Sequence, residues 1–440
     1  MRVLYTFLLW LLLPVVLLRL GLRSRRQPEY LQHIGERFGF YPAGSLPEKP
    51  SLHSSPVNEG GDKCEKPFLS APVIWLHAVS VGETRATVNL IAKLRESYPE
   101  YRILLTHTTP TGRATSEQLY GDEVLRFYLP YDYPFAVRRF LHHFKPCLGI
   151  LMETEIWFNL IHESHKARVP MLLLNARLSK KSAKGYARVA GLTRNALQKL
   201  TAIAAQTQDD AARLMQLGAQ KVSVMGNLKY DIVPAQALLA RGVALREQFG
   251  IERKVFLAAS TREGEEALLL DAFEKTRQDI LLVIVPRHPQ RFDEVALMLG
   301  KRGLHYQRKS ENCDVPTEIQ VVLGDSMGEM FAYYAACDLA FIGGSLLPFG
   351  AQNLIEACSV GTPVLIGPHT YNFAEATRLA IKAGAAVRVS NADELFEVAN
   401  QLLNDVDTLA TMRQSGLQFV AAHRGATDKA LAVLKLCLPV

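Results

Sequence analysis

The sequence predicts an α/β protein of two doubly wound, parallel-sheet domains facing across a cleft, behind an N-terminal membrane-anchor helix. Three observations carry this. The chain has 440 residues, too many for one ordinary core. From Pro72 onward, apolar runs of strand length alternate with stretches of helical periodicity, pausing only around residues 230–248. And the stretch from Val3 to Leu18 is 16 residues without a charge, followed by Arg19, Arg23, Arg25 and Arg26.

The apolar stretch comes first. A secretory signal places its positive charge before the apolar run and ends it at a small-residue cleavage site, and neither feature is present. Arginines on the C-terminal flank place the body on the cytoplasmic side. The run is shorter than the ~20 residues a full span prefers, and Pro14 interrupts it. It reads as an uncleaved anchor over residues 1–26, either spanning or lodged in the inner leaflet. Residues 45–71, rich in Pro, Ser, Gly and charge, read as a solvated loop.

The first αβ series, residues 27–230, contains the strand candidates VIWLHAV, RILLTHT, EVLRFYL, CLGILM, VPMLLLNA, AIAAQT and VSVMG. Helical stretches lie between them, such as TRATVNLIAKLRESY, which sets Val88, Ile91, Leu94 and Tyr98 on one face. The second series, residues 231–420, contains KVFLAAS, ILLVIVPRH, IQVVLGDS, LAFIGGS, PVLIGP and AAVRVS. Continuous apolar strands alternating with helices imply parallel sheets covered on both faces. Residues 421–440 read as a C-terminal helix. In such sheets ligands bind beyond the carboxyl ends of the strands, which makes those ends the place to look for chemistry.

Composition narrows the class. The net charge of +7, from 50 basic and 43 acidic residues, suits an anionic substrate or a membrane surface. The dense basic runs and interleaved aromatics of a nucleic-acid binder are missing, so that class is set aside. The six cysteines are scattered without a CxxC pair or a His-Cys cluster, which indicates neither a disulfide framework nor a zinc site.

Glu83 lies just past the carboxyl end of the first strand, in the first turn of a helix. On spacing alone, Ser80-x-x-Glu83 is best read as a capping box. The helix dipole would also keep the carboxylate ionised and able to accept a proton. Glu153 and Glu155 close another strand in LMETEIW, with Glu153 nearer the strand end and Glu155 equally well read as a first-turn charge. Lys229, in GNLKYD, follows a third strand and is placed to meet an anion.

In the second half, VPRHP sets Arg287 and His288 directly after an apolar strand, a pairing of donors suited to a phosphate. GDSMGEM places Gly328 at a helix start, with backbone groups able to read a flat base edge. FIGGSLLPFGAQNLIEA is a strand, a glycine-rich loop and then Asn353 opening a helix, with Glu356 one turn in and able to accept from a ribose diol. It is not a GxxxxGK[ST] loop, so ATP-type transfer is unsupported. A nucleotide site in one half and a carboxylate base in the other describe a glycosyltransferase of two Rossmann-like domains.

In that order, GERFGF, WLHAVSVGET, METEIW, GNLKYD, STREGEE, VPRHPQRF, GDSMGEM, GGSLLPFGAQNLIEA and IGPHTYNF resemble the Kdo transferases. These are GT-B enzymes that move 3-deoxy-D-manno-octulosonic acid (Kdo) from CMP-Kdo to lipid A precursor. The likeness spans about residues 30 to 425. It implies Glu83 as general base, overturning the capping preference although both roles can coexist, and Glu153 and Lys229 as transition-state stabilisers. It implies CMP contacts from Arg287, His288, Met327, Gly328, Glu329, Asn353, Leu354, Ile355 and Glu356. An inverting transfer without a metal or cofactor is expected, at the cytoplasmic face of a bacterial inner membrane. RLSKKSAKGYAR, residues 177–188, reads equally as a grip on the acceptor and as a solvated helix face. The chain departs from the family's Gly-Gly-His-Asn-x-Leu-Glu at Ala351, Gln352 and Ile355, and carries Arg262 where histidine is common. The rival readings are a nonhydrolysing nucleotide-sugar epimerase and a non-catalytic, membrane-tethered nucleotide-binding protein.

Overall fold

In the computed structural model of the protein, residues 1–25, 27–42, 71–276 and 279–438 are described. The loop read over residues 45–71 lies outside them except for Ala71, as do Arg26 and Cys64. The chain forms two compact units, residues 1–231 with 425–440, and residues 232–424.

The first unit holds a seven-stranded parallel sheet: β1 (Val73–His77), β2 (Arg102–His107), β3 (Leu125–Tyr128), β4 (Pro146–Met152), β5 (Met171–Ala176), β6 (Ala202–Ala205) and β7 (Val222–Val224). Its order is β3-β2-β1-β4-β5-β6-β7, so the winding reverses between β1 and β4. The apolar runs are continuous because both faces are covered. Val73 and Trp75 enter one core with Phe140, Phe144 and Leu160, while Ile74 and Leu76 enter the other with Leu90, Ile91 and Leu94. A register slip of one residue would exchange these sets. The helix expected over TRATVNLIAKLRESY is interrupted at Thr87, giving Val81–Ala86 and Val88–Ser97. The Thr84 and Thr87 hydroxyls donate to the Ser80 and Thr84 carbonyls, the back-bonding that bends helices.

The second unit repeats the plan with β8 (Val255–Thr261), β9 (Leu281–Pro286), β10 (Tyr306–Arg308), β11 (Val321–Leu323), β12 (Leu339–Ile342), β13 (Val364–Ile366) and β14 (Ala386–Arg388), in the order β10-β11-β9-β8-β12-β13-β14. All pairings are parallel. β10 escaped the sequence reading because Tyr306-Gln307-Arg308 is a short edge strand with no apolar run. The winding reverses between β8 and β12.

Residues 421–440, read as a C-terminal helix, hold the end of the helix Val406–His423 and the helix Ala426–Lys435, separated by Gly425 at φ +100°. The second belongs to the first unit. Asp231 accepts from the N–H groups of Gly425 and Thr427 at its start, and Ala430 and Leu434 enter the same core as Leu76. The five described cysteines form no disulfide.

The helix Arg2–Ser24 is long and apolar enough to cross a membrane, and its apolar window has only 6% of its residues buried.

Candidate active site

The first unit gathers its candidate residues at the winding reversal. Glu83 follows β1, Glu153 follows β4, and Lys229 follows β7. Ser80 caps the helix Val81–Ala86 by accepting from the Glu83 N–H at 3.4 Å. The Glu83 carboxylate turns back over that cap, accepting from the Val79 N–H at 2.7 Å and from the Ser80 hydroxyl at 3.0 Å. The capping geometry is therefore present, with Val79 rather than Ser80 as the backbone donor. Glu83 is nonetheless far from an ordinary surface carboxylate. Burial, and next the charge of Glu153, push it up to about 7 against the pull of the Val79 N–H.

Glu153 stands in the left-handed region at φ +57°, an uncommon conformation for a long side chain. Its N–H still extends the ladder to the Leu174 carbonyl at 3.0 Å, and its carboxylate meets the Lys229 ammonium at 3.3 Å. Glu155 is pushed upward chiefly by burial, opposed by the Trp157 indole N–H donating at 2.7 Å. The result is three carboxylates around the carboxyl ends of β1 and β4, met by the ammonium of Lys229 from the turn Leu228–Asp231, which returns from the edge strand β7. Such a group can hold a proton acceptor near neutrality.

The supports of this group were not read from the sequence. Two buried histidines end β1 and β2. The His107 Nδ1 meets the Ala78 carbonyl at 2.9 Å and the His77 Nδ1 meets the Thr106 carbonyl at 3.0 Å, so each ring donates there as neutral imidazole. Burial lowers His77 to about 3, with His107 adding to the effect, and burial lowers His107 to about 4. The Thr109 hydroxyl donates to the Val79 carbonyl at 3.1 Å, fixing the residue whose N–H holds Glu83. One layer out, GERFGF supplies the buried Glu36 and Arg37. Arg37 lies 4.1 Å from the Tyr128 ring centre and donates to the Thr108 carbonyl, while Glu36 accepts from Arg113 and the Tyr128 N–H. The Lys229 turn hangs from Asn175, whose Oδ1 accepts from the Leu228 N–H at 3.1 Å, and from Asn227, which accepts from the Lys229 N–H.

A cavity of about 600 Å³ in the same unit is lined by Phe40, Tyr41, Phe135, Arg138, Arg139, His142 and His143, none of them among the candidates.

The second unit brings its candidates to the ends of β11, β9, β8 and β12, four neighbours spanning its own reversal. After β9, the Arg287 N–H donates to the Thr261 carbonyl at 3.0 Å. His288 is exposed and held below its usual value by partial burial and the charges of Arg262, Arg287 and Arg291, which leaves a neutral ring among cations. After β12, the glycine loop approaches the neighbouring strand so closely that a Cβ on Gly343 would lie 2.5 Å from the Ser260 carbonyl oxygen. Ala351 takes φ +66°, and its N–H donates to the Gly344 carbonyl at 2.7 Å. Asn353 caps the helix Leu354–Ser359 by accepting from the Ile355 N–H, and its amide donates to Glu356 at 3.1 Å. Leu354 and Ile355 are fully buried, backbone included, and the Ile355 N–H is already bonded to Asn353, so Asn353 and Glu356 are the partly exposed members of this run. Met327 is half exposed and Gly328 takes φ +81°. The Glu329 carboxylate is engaged by Arg241 at 2.5 Å and Lys309 at 2.8 Å.

Glu265 holds this loop in shape. Fully buried, it accepts from the N–H groups of Arg262 at 2.9 Å, Gly344 at 2.6 Å and Leu346 at 3.0 Å. Burial pushes its carboxyl up, and these N–H groups pull it back. STREGEE marks Glu265 only as a glutamate opening a helix after a strand, which does not foretell its bonds to the Gly344 and Leu346 N–H groups. Arg262 stacks over Phe349 of the same loop, 4.5 Å from the ring centre. Among the described residues, no three His, Cys, Asp or Glu side chains are grouped to hold a metal ion.

Residues 32–232 match the family model described as 3-deoxy-D-manno-octulosonic-acid transferase (kdotransferase), and residues 252–419 match glycosyl transferases group 1. The chain is 45% identical over 380 residues to a 3-deoxy-D-manno-octulosonic acid transferase of Bordetella pertussis, covering 83% of this chain and 87% of that one. It is 36% identical over 441 residues to the enzyme of that name from Haemophilus influenzae, covering 99% and 98%. Among solved structures, UDP-GlcNAc 2-epimerase from Neisseria meningitidis bound to UDP-GlcNAc superposes with a TM-score of 0.57 at 17% identity, covering 83% of this chain and all of that one. That likeness concerns the fold, two parallel-sheet units of GT-B type.

Proposed function

The chain belongs to the 3-deoxy-D-manno-octulosonic acid transferase family, and from that premise we propose that it moves Kdo from CMP-Kdo to the 6'-hydroxyl of the lipid A disaccharide precursor, with inversion and without a metal. As a Kdo transferase it is a glycosyltransferase of lipopolysaccharide synthesis. The observation that carries the finer reading is Glu83, a carboxylate raised to about 7 by burial and by Glu153. A base poised near the working pH is what deprotonation of a primary alcohol requires.

In this reading Glu83 takes the proton of the acceptor hydroxyl as its oxygen attacks the anomeric carbon of Kdo. The bond to the CMP phosphate breaks on the opposite face, so one glycosidic bond forms as one is lost, and CMP departs with the electron pair. The Glu153–Lys229 pair sets the field around the reacting centre, the ammonium balancing negative charge as Glu83 approaches its substrate. Arg287 and the neutral His288 meet the phosphate of the leaving group. The turn at Met327, Gly328 and Glu329 lies against the cytosine, with Glu329 shaping it from its ion pairs with Arg241 and Lys309. Asn353, at the start of its helix, and the Glu356 carboxylate hold the ribose and phosphate, with Leu354 and Ile355 packed behind them. The helix Arg2–Ser24 attaches the enzyme to the cytoplasmic face of the inner membrane, where a lipid acceptor resides.

The test supplies CMP-Kdo and tetraacylated lipid A precursor to the purified protein and weighs the products. An acceptor heavier by one or more Kdo units is the expected result. An unchanged acceptor with CMP-Kdo intact would overturn the assignment.

A further inference from the structure

The apolar N-terminal helix presents two different sides along its whole length. The positions with reduced exposure are Arg2, Tyr5, Thr6, Leu9, Leu13, Val16, Leu20 and Ser24, which apart from the adjacent Tyr5 and Thr6 are spaced three or four residues from the first turn to the last. Such a stripe arises when a helix lies lengthwise on a body. The contacts say which body. Arg2 pairs with Glu163 at 3.2 Å, the Tyr5 hydroxyl donates to Asp132 at 2.8 Å, Thr6 bonds to Asn159, and the Tyr133 hydroxyl donates to the Leu9 carbonyl at 2.8 Å. Trp10 stacks on Phe135 with ring centres 5.6 Å apart. These partners belong to the first unit, and three of them, Asp132, Asn159 and Glu163, are buried. Asp132 also accepts from the Asn159 and Leu160 N–H groups, so the site that receives Tyr5 is built into the fold.

The opposite stripe, Val3, Leu4, Phe7, Leu11, Val15 and Leu18, is more than half exposed and wholly apolar. Beside it, Phe135 continues into the cavity whose rim carries the exposed Arg138, Arg139 and His142.

We propose that this helix does not cross the bilayer but lies in the plane of one leaflet, docked on the first unit with its outer stripe in the acyl region and the neighbouring basic residues at headgroup level. A crossing would carry Arg2, Tyr5 and Thr6 through the hydrocarbon and away from Glu163, Asp132 and Asn159. That leaves the buried Glu163 with Arg138 alone at 3.4 Å and takes the Tyr5 hydroxyl from the buried Asp132, and weakening the pairing of buried carboxylates is costly. Lying flat keeps every polar tie and still buries the apolar stripe, as interfacial helices do. Cationic groups at that level favour an anionic lipid surface. The inference rests on the membrane-attached reading above and refines how attachment is made.

The test reads the depth of Trp10. The purified full chain is bound to phosphatidylethanolamine–phosphatidylglycerol vesicles carrying bromines either near the headgroup or near the acyl terminus. A W10F variant is measured in parallel to subtract Trp75 and Trp157. An in-plane helix sits about 5–10 Å below the headgroups, so the shallow label quenches Trp10 more strongly. A spanning helix puts its middle near the centre of a core about 30 Å thick, so stronger quenching by the deep label would overturn the proposal while leaving membrane attachment intact. Co-flotation with no quenching of Trp10 by either label would overturn it too. Failure to float with vesicles at all would sink the membrane reading itself, and this refinement with it.

Discussion

The two units have the same sheet plan and solve opposite problems at the ends of their strands. The first unit gathers charged side chains: Glu83 and Glu153 project from two neighbouring strand ends, Lys229 joins them from the turn Leu228–Asp231, and Glu153 holds a left-handed backbone. The second unit instead builds a tightly bonded loop, whose Gly344, Leu346, Ala351, Gln352 and Ile355 N–H groups all have partners within the unit. Its glycine loop is shaped by one buried carboxylate, Glu265, and Leu354 and Ile355 have their side chains packed away. In the proposed reaction the difference has a use: proton transfer needs a side chain with a tuned pKa, whereas a nucleotide needs a loop held still. A mutation that changes charge should therefore act on chemistry in the first unit and on architecture in the second.

The largest effect tests the first half of that statement. Glu83→Gln keeps the size and one acceptor oxygen but cannot take a proton, and transfer is expected to fall about 10²–10⁴-fold. CMP binding, measured by calorimetry, should be unchanged. Wild-type transfer should rise with pH up to about 7 and then level off, because the base must be ionised. If the variant retains near wild-type turnover, Glu83 is a cap and nothing more.

Glu265→Gln tests the second half. The amide matches the shape, but its NH₂ group faces N–H donors that the carboxylate had accepted. Leaving a buried donor unpaired costs about 1–3 kcal/mol, and a stability loss of that order is expected in urea melts, together with weakened CMP binding. Loss of CMP affinity without loss of stability would mean that Glu265 touches the ligand itself.

These sites were unequally legible. Glu83, Glu153 and Lys229 could be placed just past apolar runs, but spacing alone favoured a cap at Glu83, and the roles of all three came from the resemblance. Glu265 was visible only as part of a resembling motif, since nothing in STREGEE says that its carboxylate folds onto Gly344 and Leu346, some 80 positions on. The histidines under Glu83 looked like strand residues, because a buried neutral imidazole satisfied by a carbonyl leaves no trace in spacing. The strands were read well wherever both faces are buried, and β10 was missed where only one edge is paired. The return of the helix Ala426–Lys435 to the first unit is carried by Asp231, a contact between residues 194 positions apart that no local pattern encodes.

The same Glu83→Gln variant separates activity from stability. The carboxyl stands at about 7 in the folded protein, above its ordinary value of 4.5. The folded state thus holds the extra proton, and its stabilising contribution is complete below about 4.5 and lost as pH rises through 7. Above 7 the wild type carries an ionised, half-buried carboxylate that glutamine removes. At about 1.4 kcal/mol for each tenfold change in proton affinity, discounted by roughly half for partial exposure, the variant should gain about 1–2 kcal/mol at pH 8. At pH 4.5 it should gain nothing. Equal stability at both pH values would show that the site does not strain its base.

The smallest effect concerns the backbone beneath Glu153. At φ +57° a residue with a Cβ costs about 1–2 kcal/mol, whereas glycine adopts this region freely at the expense of a more mobile unfolded chain. Replacing Glu153 by alanine and by glycine removes the carboxylate equally, so both variants should lose transfer alike. Their stabilities should differ in the unusual direction, with Glu153→Gly above Glu153→Ala by roughly 0.5–1 kcal/mol in urea melts. Alanine proving the more stable would mean that the loop after β4 relaxes out of the left-handed region once the pairing with Lys229 is gone, and that the ion pair, rather than the surrounding chain, holds Glu153 beside Glu83.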